Sequence, residues 1–143
     1  MTEIKRWRKN AFLTLAQMAQ KLEIPQRTIE SWEMGDRSPA PWAEKLIVEK
    51  LQLITQEKLE NEARKEANRL KSDEDGDRPE AVWVCIEDCG DDTYIERYRD
   101  MFDAIENAEE GQRVAIMLVN KGTSDAYEDK NGNVSYFELS IDL

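Results

Sequence analysis

Residues 13–35 read LTLAQMAQKLEIPQRTIESWEMG and predict two short helices joined by a tight turn. Over residues 15–22, apolar side chains recur at the spacing of one helix face, and Thr14 is suited to cap the first turn. Pro25 stops this helix and also suits the first turn of the next one, which we predict over residues 26–33. The stretch therefore predicts a compact helical pair.

The second helix of this pair turns a polar face outward. Ile29 and Trp32 point inward, and Gly35 closes the helix in a left-handed conformation. The outward side chains are all of types that can form hydrogen bonds: Gln26, Arg27, Glu30 and Ser31, with Thr28 at the flank. A helix that binds the major groove of DNA needs such side chains in its first turns and a packed partner helix behind it. The pattern therefore favours DNA recognition.

At these residues the chain resembles the Xre/Cro-type, or lambda-repressor-like, helix-turn-helix family. The resemblance covers residues 1–52, rests on the pattern LT..QMAQKL.IP.RTIESWE.G, and continues in RSPAPWAEKLIVEKL, which is similar to the family's later helices. Three positions depart from the family. Leu15 stands where a DNA-contacting glutamine is common, which removes one expected contact, and Glu23 and Phe12 each stand where glycine is usual.

The resemblance implies two sets of DNA contacts. Base edges would be contacted by Gln26, Arg27, Glu30 and Ser31. Phosphate groups would be contacted by Thr14, Gln17, Thr28 and Arg37. Glutamine suits adenine and arginine suits guanine through paired hydrogen bonds, each worth about 1–3 kcal/mol of discrimination. The implied function is a sequence-specific transcriptional regulator of bacterial, phage or mobile-element type, a homodimer on a two-fold symmetric site in double-stranded DNA. A helical pair that keeps the fold without binding DNA is the alternative.

Charge is distributed unevenly along the 143 residues. Residues 1–52 carry 9 Lys and Arg against 7 Asp and Glu, a net charge of +2, and residues 53–78 carry 6 against 8, a net of −2. Residues 79–143 carry 5 against 16, a net of −11, which equals the charge of the whole chain. A locally basic N-terminal part and an acidic C-terminal part favour two domains, and the low positive charge weakens the DNA-binding interpretation.

We predict an α+β fold in three segments: an all-α helix-turn-helix domain over residues 1–55, a helical extension and acidic linker over 56–79, and a small acidic α+β domain over 80–143. A long connecting helix is predicted over residues 42–71. Its apolar stripe comprises Trp42, Leu46, Ile47, Leu51 and Ile54. Beyond these residues the stripe thins amid dense charge, so that half is either a solvent-exposed helix with many i, i+4 pairs or a thin dimer seam. Because the proposed DNA site needs two copies, we take this helix as the predicted dimer seam.

The C-terminal part predicts the element order ββαββ. The strands are expected over residues 81–87, 93–98, 113–119 and 134–141, with a helix over 101–110. Asp100 is suited to cap that helix, and Asn131 followed by Gly132 predicts a hairpin turn before the last strand.

The sequence lacks the residues that most metal sites and most known catalytic sites require. The chain has no histidine, so Ser-His-Asp and Cys-His catalysis are excluded, and Cys85 and Cys89 alone do not complete a zinc site. The run DKNGN at residues 129–133 resembles the start of a calcium loop, but Val134 and Ser140 stand where that loop needs glycine and glutamate. We therefore predict no enzyme, no catalytic residues, no metal and no cofactor.

The acidic part leaves three interpretations open. Its carboxylates form a solvated face, or they bind a basic protein partner by imitating the charge of nucleic acid, or Asp88, Asp91 and Asp92 act in a metal-dependent enzyme. The second of these defines an alternative function, a protein inhibitor of anti-defence type whose acidic domain blocks a nucleic-acid-binding enzyme while the N-terminal domain autoregulates. Without an apolar run of about 18 residues or a signal peptide, we expect a cytoplasmic protein that does not bind membranes.

Overall fold

The computed structural model describes residues 2–70 and 79–143. Its elements are α1 (Glu3–Asn10), α2 (Leu15–Leu22), α3 (Gln26–Met34), α4 (Pro41–Arg69), β1 (Glu80–Cys89), β2 (Asp92–Tyr98), α5 (Met101–Asn107), β3 (Arg113–Val119) and β4 (Glu138–Ser140). The fold is therefore α+β, as predicted, and the predicted C-terminal order ββαββ is confirmed. The chain forms two compact units that divide in sequence between Lys58 and Leu59, with Asp142 counted in the first.

Helix α2 begins with a complete capping box. The Oγ1 atom of Thr14 accepts a hydrogen bond from the backbone N–H of Gln17 at 3.1 Å, and the Oε1 atom of Gln17 accepts one from the backbone N–H of Thr14 at 2.9 Å. Two N–H groups that the helix leaves without a partner are thereby satisfied. This local geometry explains why the predicted bounds of α2 agree with the structure.

An ion pair joins α1 to the end of α3. The Nε and Nη2 atoms of Arg8 each donate to the carboxylate of Glu33 at 2.8 Å, and Nη1 donates to the carbonyl oxygen of Leu13 at 2.9 Å. The two side chains are only 13% and 7% exposed. The contact is therefore a largely buried, two-pronged pair that ties together α1, α3 and the segment before α2.

Two non-glycine residues within the described ranges have a left-handed backbone. Phe12 follows α1 and Glu23 follows α2, and each has a φ of 55°. At Glu23 this conformation ends α2, and the next N–H, that of Ile24, donates to the carbonyl oxygen of Ala19 at 3.1 Å. A side chain with a Cβ atom is strained in this region, whereas glycine is not.

Replacing Glu23 with glycine is expected to raise the free energy of unfolding by about 0.5–1 kcal/mol, because the left-handed conformation then loses its Cβ strain. Urea unfolding of the wild type and the variant measures the gain. Glu23→Ala is the matched control, since it removes the carboxylate and keeps the Cβ atom. If the alanine variant gains as much stability as the glycine variant, the gain comes from the lost charge and the backbone argument fails.

Helix α4 differs from its predicted stripe. Leu51 is fully buried, but Trp42 is 71% exposed and Leu46 is 57% exposed, so these members of the predicted stripe do not share one face of the helix. The reason is angular, since nine residues at 3.6 per turn place positions 42 and 51 about 180° apart. The predicted end of this helix at Lys71 and most of the predicted linker lie outside the described residues.

The C-terminal sheet is antiparallel with strand order β2-β1-β3-β4. Helix α5 packs on one face through buried Met101 and Ala104, and the Sγ atom of Cys85 lies 3.2 Å from the carbonyl oxygen of Ala104. Alternate residues of β1 and β3 form a second apolar cluster: Val82, Val84, Ile86, Ala115, Met117 and Val119. Both strands are thus apolar on both faces.

The last predicted strand, over residues 134–141, was too long. Only residues 138–140 pair with β3, because Val134 instead forms an antiparallel bridge with Glu128 across the predicted turn. The predicted helix over 101–110 was also too long, since it ends at Asn107 where Ala108 adopts an extended backbone.

The run DKNGN forms a closed turn. The Oδ1 atom of Asp129 accepts from the backbone N–H groups of Asn131 and Asn133, both at 2.9 Å, and the side-chain amide of Asn133 donates to Oδ2 at 3.1 Å. These hydrogen bonds, above all those from Asn133, hold the pKa of Asp129 below its usual value. The carboxylate therefore stabilises the turn in its ionised form.

The wild type is expected to have a higher free energy of unfolding than Asp129→Asn, and this difference should depend on pH. The pKa of Asp129 is lower in the folded state, so the stabilisation is present above the unfolded pKa of about 3.9 and is lost as pH falls below that value. Urea unfolding at a series of pH values from 7 to 3 checks this. A stability difference between the two proteins that stays constant across the series would contradict it.

Candidate nucleic-acid interface

The candidate interface is built on α3, with α2 behind it. The two helices are joined by residues 23–25, and each has one fully buried side chain, Met18 on α2 and Ile29 on α3. Pro25 precedes the first residue of α3 and makes no side-chain cap. The first turn of α3 also contains no acidic residue. Its backbone N–H groups therefore carry the positive end of the helix dipole without a neighbouring negative charge in that turn.

The four predicted base-contacting residues differ in exposure. Gln26 and Arg27 are exposed, whereas Glu30 and Ser31 are half-buried. The Nε2 atom of Gln26 donates to the carboxylate of Glu30 at 3.0 Å, one helical turn further on. That bond uses one of two amide hydrogens, so the second hydrogen and the amide oxygen of Gln26 retain the pair of groups that adenine requires.

The predicted phosphate-contacting residues lie on three segments. Thr14 and Gln17 are exposed at the start of α2, Thr28 is half-buried on α3, and Arg37 is exposed beyond α3. The capping box uses the amide oxygen of Gln17 and leaves its N–H groups as donors. The backbone N–H of Arg37 donates to the carbonyl oxygen of Ser31 at 3.4 Å, which fixes the segment that carries its side chain.

Arg27 and Arg37 are the two cations of the predicted set. Within residues 2–70 and 79–143, neither forms an ion pair with a carboxylate. The acidic side chain of Glu33, by contrast, is bound by Arg8. The charges that would meet DNA phosphate or guanine are thus available, and one nearby negative charge is balanced inside the fold.

Sequence reasoning missed two features of this site. One is the hydrogen bond from Gln26 to Glu30, whose i, i+4 spacing is a readable signal for paired side chains on a helix. The other is the pairing of Arg8 with Glu33 across 25 positions, for which the local sequence offers no signal.

Of the three acidic residues considered for catalysis, Asp88 has a structural role in the fold. Arg113 bridges Asp88 and Glu138, and Thr93 donates to Asp88 at 3.2 Å. Asp91 and Asp92 are exposed. In the part of the chain that the structure describes, no three His, Cys, Asp or Glu side chains are grouped so as to hold a metal ion.

The cysteines lie in different surroundings. Cys85 is buried and Cys89 is exposed, and both are free thiols. Burial, with a smaller contribution from the negative charge of Glu96, raises the pKa of Cys85. A thiol of raised pKa is a poor nucleophile at neutral pH.

Comparisons with protein-family models, with curated proteins and with solved structures give no match for this chain. Over the described ranges, every helix is too short or too polar to cross a lipid bilayer.

Proposed function

We propose that the N-terminal unit is a helix-turn-helix module of the Xre/Cro type and that the protein is a sequence-specific DNA-binding regulator acting as a homodimer. The observation that carries this proposal is the backbone at Phe12 and Glu23. These are the two positions at which the chain lacks a glycine that the resemblance expects, and they are also the two non-glycine residues of the described chain with a positive φ. A glycine in such a position marks a left-handed conformation, and here that conformation is present without the glycine.

Recognition would start from the first turn of α3. Arg27 would donate two hydrogen bonds to guanine, and Gln26 would form a donor and acceptor pair with adenine. Glu30, which accepts from Gln26, acts as a positioning residue, since it restricts the amide to one orientation. Ser31, one turn after Arg27, would contact a neighbouring base with its hydroxyl group.

Phosphate binding would be modest. Of Thr14, Gln17, Thr28 and Arg37, only Arg37 carries a charge, and residues 1–52 have a net charge of only +2. The salt dependence of DNA affinity scales with the number of phosphates that cations neutralise. The affinity of this protein should therefore fall less steeply with rising salt concentration than is usual for a DNA-binding protein. Specificity would therefore depend mainly on base contacts and on the pairing of two copies.

The test is a selection of bound sequences from a random DNA library with the full-length chain, at low salt and at physiological salt. We expect enrichment of a two-fold symmetric site whose half-sites are about one DNA turn, or 34 Å, apart. Failure to enrich any sequence even at low salt would overturn the proposal.

A second function is favoured by the segregation of charge. Residues 79–143 carry a net charge of −11, and many of their carboxylates are exposed: Asp91, Asp92, Glu96, Glu106, Glu109 and Glu110. We propose as the alternative that this unit binds and inhibits a basic, nucleic-acid-binding enzyme while the N-terminal unit regulates the gene. Capture and inhibition of such an enzyme without DNA, unchanged by Arg27→Ala, would support it. A chain that binds only DNA would not.

A further inference from the structure

Gln26 and Glu30 form a hydrogen-bonded pair on the outer face of α3. Their spacing of four residues places them about 40° apart around the helix axis, one turn after the other. The Nε2 atom of Gln26 donates to the Oε1 atom of Glu30 at 3.0 Å. An ionised carboxylate has no hydrogen to donate, so the nitrogen of the Gln26 amide is the atom that must face Glu30. The amide oxygen of Gln26 is therefore turned away from Glu30.

The negative charge of Glu30 has no cation beside it. Over residues 2–70 and 79–143, no lysine or arginine side chain forms an ion pair with Glu30. The carboxylate of Glu33, three residues further along α3, is by contrast bound by Arg8 at 2.8 Å. Glu30 is half-buried, and its hydrogen bond to Gln26 uses only one of its two carboxylate oxygens. The second oxygen therefore remains an acceptor on this face.

The Gln26–Glu30 pair accepts more hydrogen bonds than it donates. Gln26 offers its amide oxygen and one remaining N–H hydrogen, and Glu30 offers its second carboxylate oxygen. In the major groove, adenine presents the N6 amino group beside the acceptor N7, and cytosine presents the N4 amino group. Guanine and thymine present no donor there, so their acceptor atoms would meet the acceptors and the negative charge of the pair. The pair therefore suits a base with an exocyclic amino group.

We propose that Glu30 determines base specificity: with Gln26 it selects adenine first and cytosine second, and it excludes guanine and thymine from that position. Adenine comes first because it satisfies both the oxygen and the N–H of the Gln26 amide, whereas cytosine satisfies acceptors only. Arg27 lies about 60° from Glu30 around the helix and carries only donors, so it reads guanine at a different base position. This inference rests on the proposed function and adds a specificity-determining charge to it.

The test uses the duplex that the full-length wild type selects from a random library, and versions of it with each of the four base pairs at every half-site position. Fluorescence anisotropy measures the affinity for each duplex. At one position the wild type is expected to prefer adenine over guanine by about 10-fold to 100-fold. Glu30→Gln keeps the side-chain shape and an oxygen that accepts from Gln26, but it replaces the charge with an amide donor. This variant should reduce that preference at least about fivefold and leave the other positions unchanged.

Gln26→Ala isolates the contribution of Glu30. Without the amide, adenine loses its paired contact, whereas cytosine can still donate from N4 to the carboxylate. The preferred base at this position should therefore change from adenine to cytosine. The double variant Gln26→Ala/Glu30→Ala should bind all four bases there with similar affinity. A Gln26→Ala protein that prefers guanine or thymine at this position contradicts the assignment of Glu30. Circular dichroism verifies that these substitutions leave the helices folded.

Glu23→Gln is the matched control for the loss of charge. Glu23 is exposed at the joint between α2 and α3, so weaker repulsion of DNA phosphate should raise the affinity by the same factor for every sequence. A purely structural role of Glu30 would likewise change all affinities by one factor. If Glu30→Gln does so, or if it leaves every base preference unchanged, the inference is overturned and the proposed function stands. A wild type that selects no sequence removes the proposed function and this inference with it.

Discussion

Replacing Arg8 with alanine is expected to destabilise the N-terminal unit by about 3–5 kcal/mol, the range for removing one partner of a buried ion pair. The substitution leaves the carboxylate of Glu33 without its two hydrogen bonds in a site where its side chain is 7% exposed. It also removes the donor to the carbonyl oxygen of Leu13. Urea unfolding followed by circular dichroism measures the loss.

Two further variants control this prediction. Arg6→Ala breaks an ion pair with Glu3 whose side chains are 28% and 51% exposed, so it should cost less than about 1 kcal/mol. Arg8→Met combined with Glu33→Leu removes both charges and should recover much of the stability, because no unpaired charge remains buried. If Arg8→Ala costs no more than Arg6→Ala, the pair does not hold the unit together.

Replacing Arg27 with alanine is expected to weaken binding to the selected DNA site by about 10-fold to 100-fold per half-site, as for loss of a paired contact to guanine. Arg27 is exposed at the start of α3, so its removal should leave the fold intact. The same variant should accept any base at one position of each half-site. Fluorescence anisotropy with the selected site and its single-base variants measures both effects.

Arg37→Ala provides the comparison for Arg27→Ala. A phosphate contact carries no sequence information, so this variant should weaken binding by the same factor at all DNA sites. It should also reduce the slope of log affinity against log salt concentration by about one, because one fewer phosphate is neutralised. If Arg27→Ala also weakens all sequences evenly, Arg27 contacts phosphate and the assignment of base contacts is wrong.

The parts of the fold that sequence predicted well are those fixed by neighbouring residues. Helix α2 begins and ends where predicted because Thr14 caps its first turn and Pro25 follows within three residues of its end. Gly35 likewise ends α3 in a left-handed conformation, with a φ of 83°. Such signals act over three or four residues and need no knowledge of the tertiary fold.

The failures have different causes. The predicted stripe on α4 grouped Trp42 with Leu51, although helix geometry alone places these two positions about 180° apart. The shortening of the last strand follows from the bridge between Glu128 and Val134, which competes with pairing to β3. This second failure depends on which surfaces meet, and a single sequence does not specify that.

For the candidate site, sequence proposed residues but did not give their mutual contacts. Gln26 and Arg27 are exposed, as a contact surface requires, and a hydrogen bond joins Gln26 to Glu30, so two of the four predicted base-contacting residues are coupled. Thr14 and Gln17 also stabilise α2, so substitutions there would change both folding and any phosphate contact. Their variants are poor probes of DNA binding for that reason.

Strand β2 lies at one edge of the C-terminal sheet. This position gives the negative charges of residues 79–143 a role that needs no binding partner. An edge strand offers unpaired backbone groups to other chains, and charged side chains discourage such pairing. β2 carries Asp92, Glu96 and Arg97, and Asp91 precedes it. These charges should therefore oppose association of the protein through this sheet edge, and the net negative charge of residues 79–143 keeps concentrated protein dispersed.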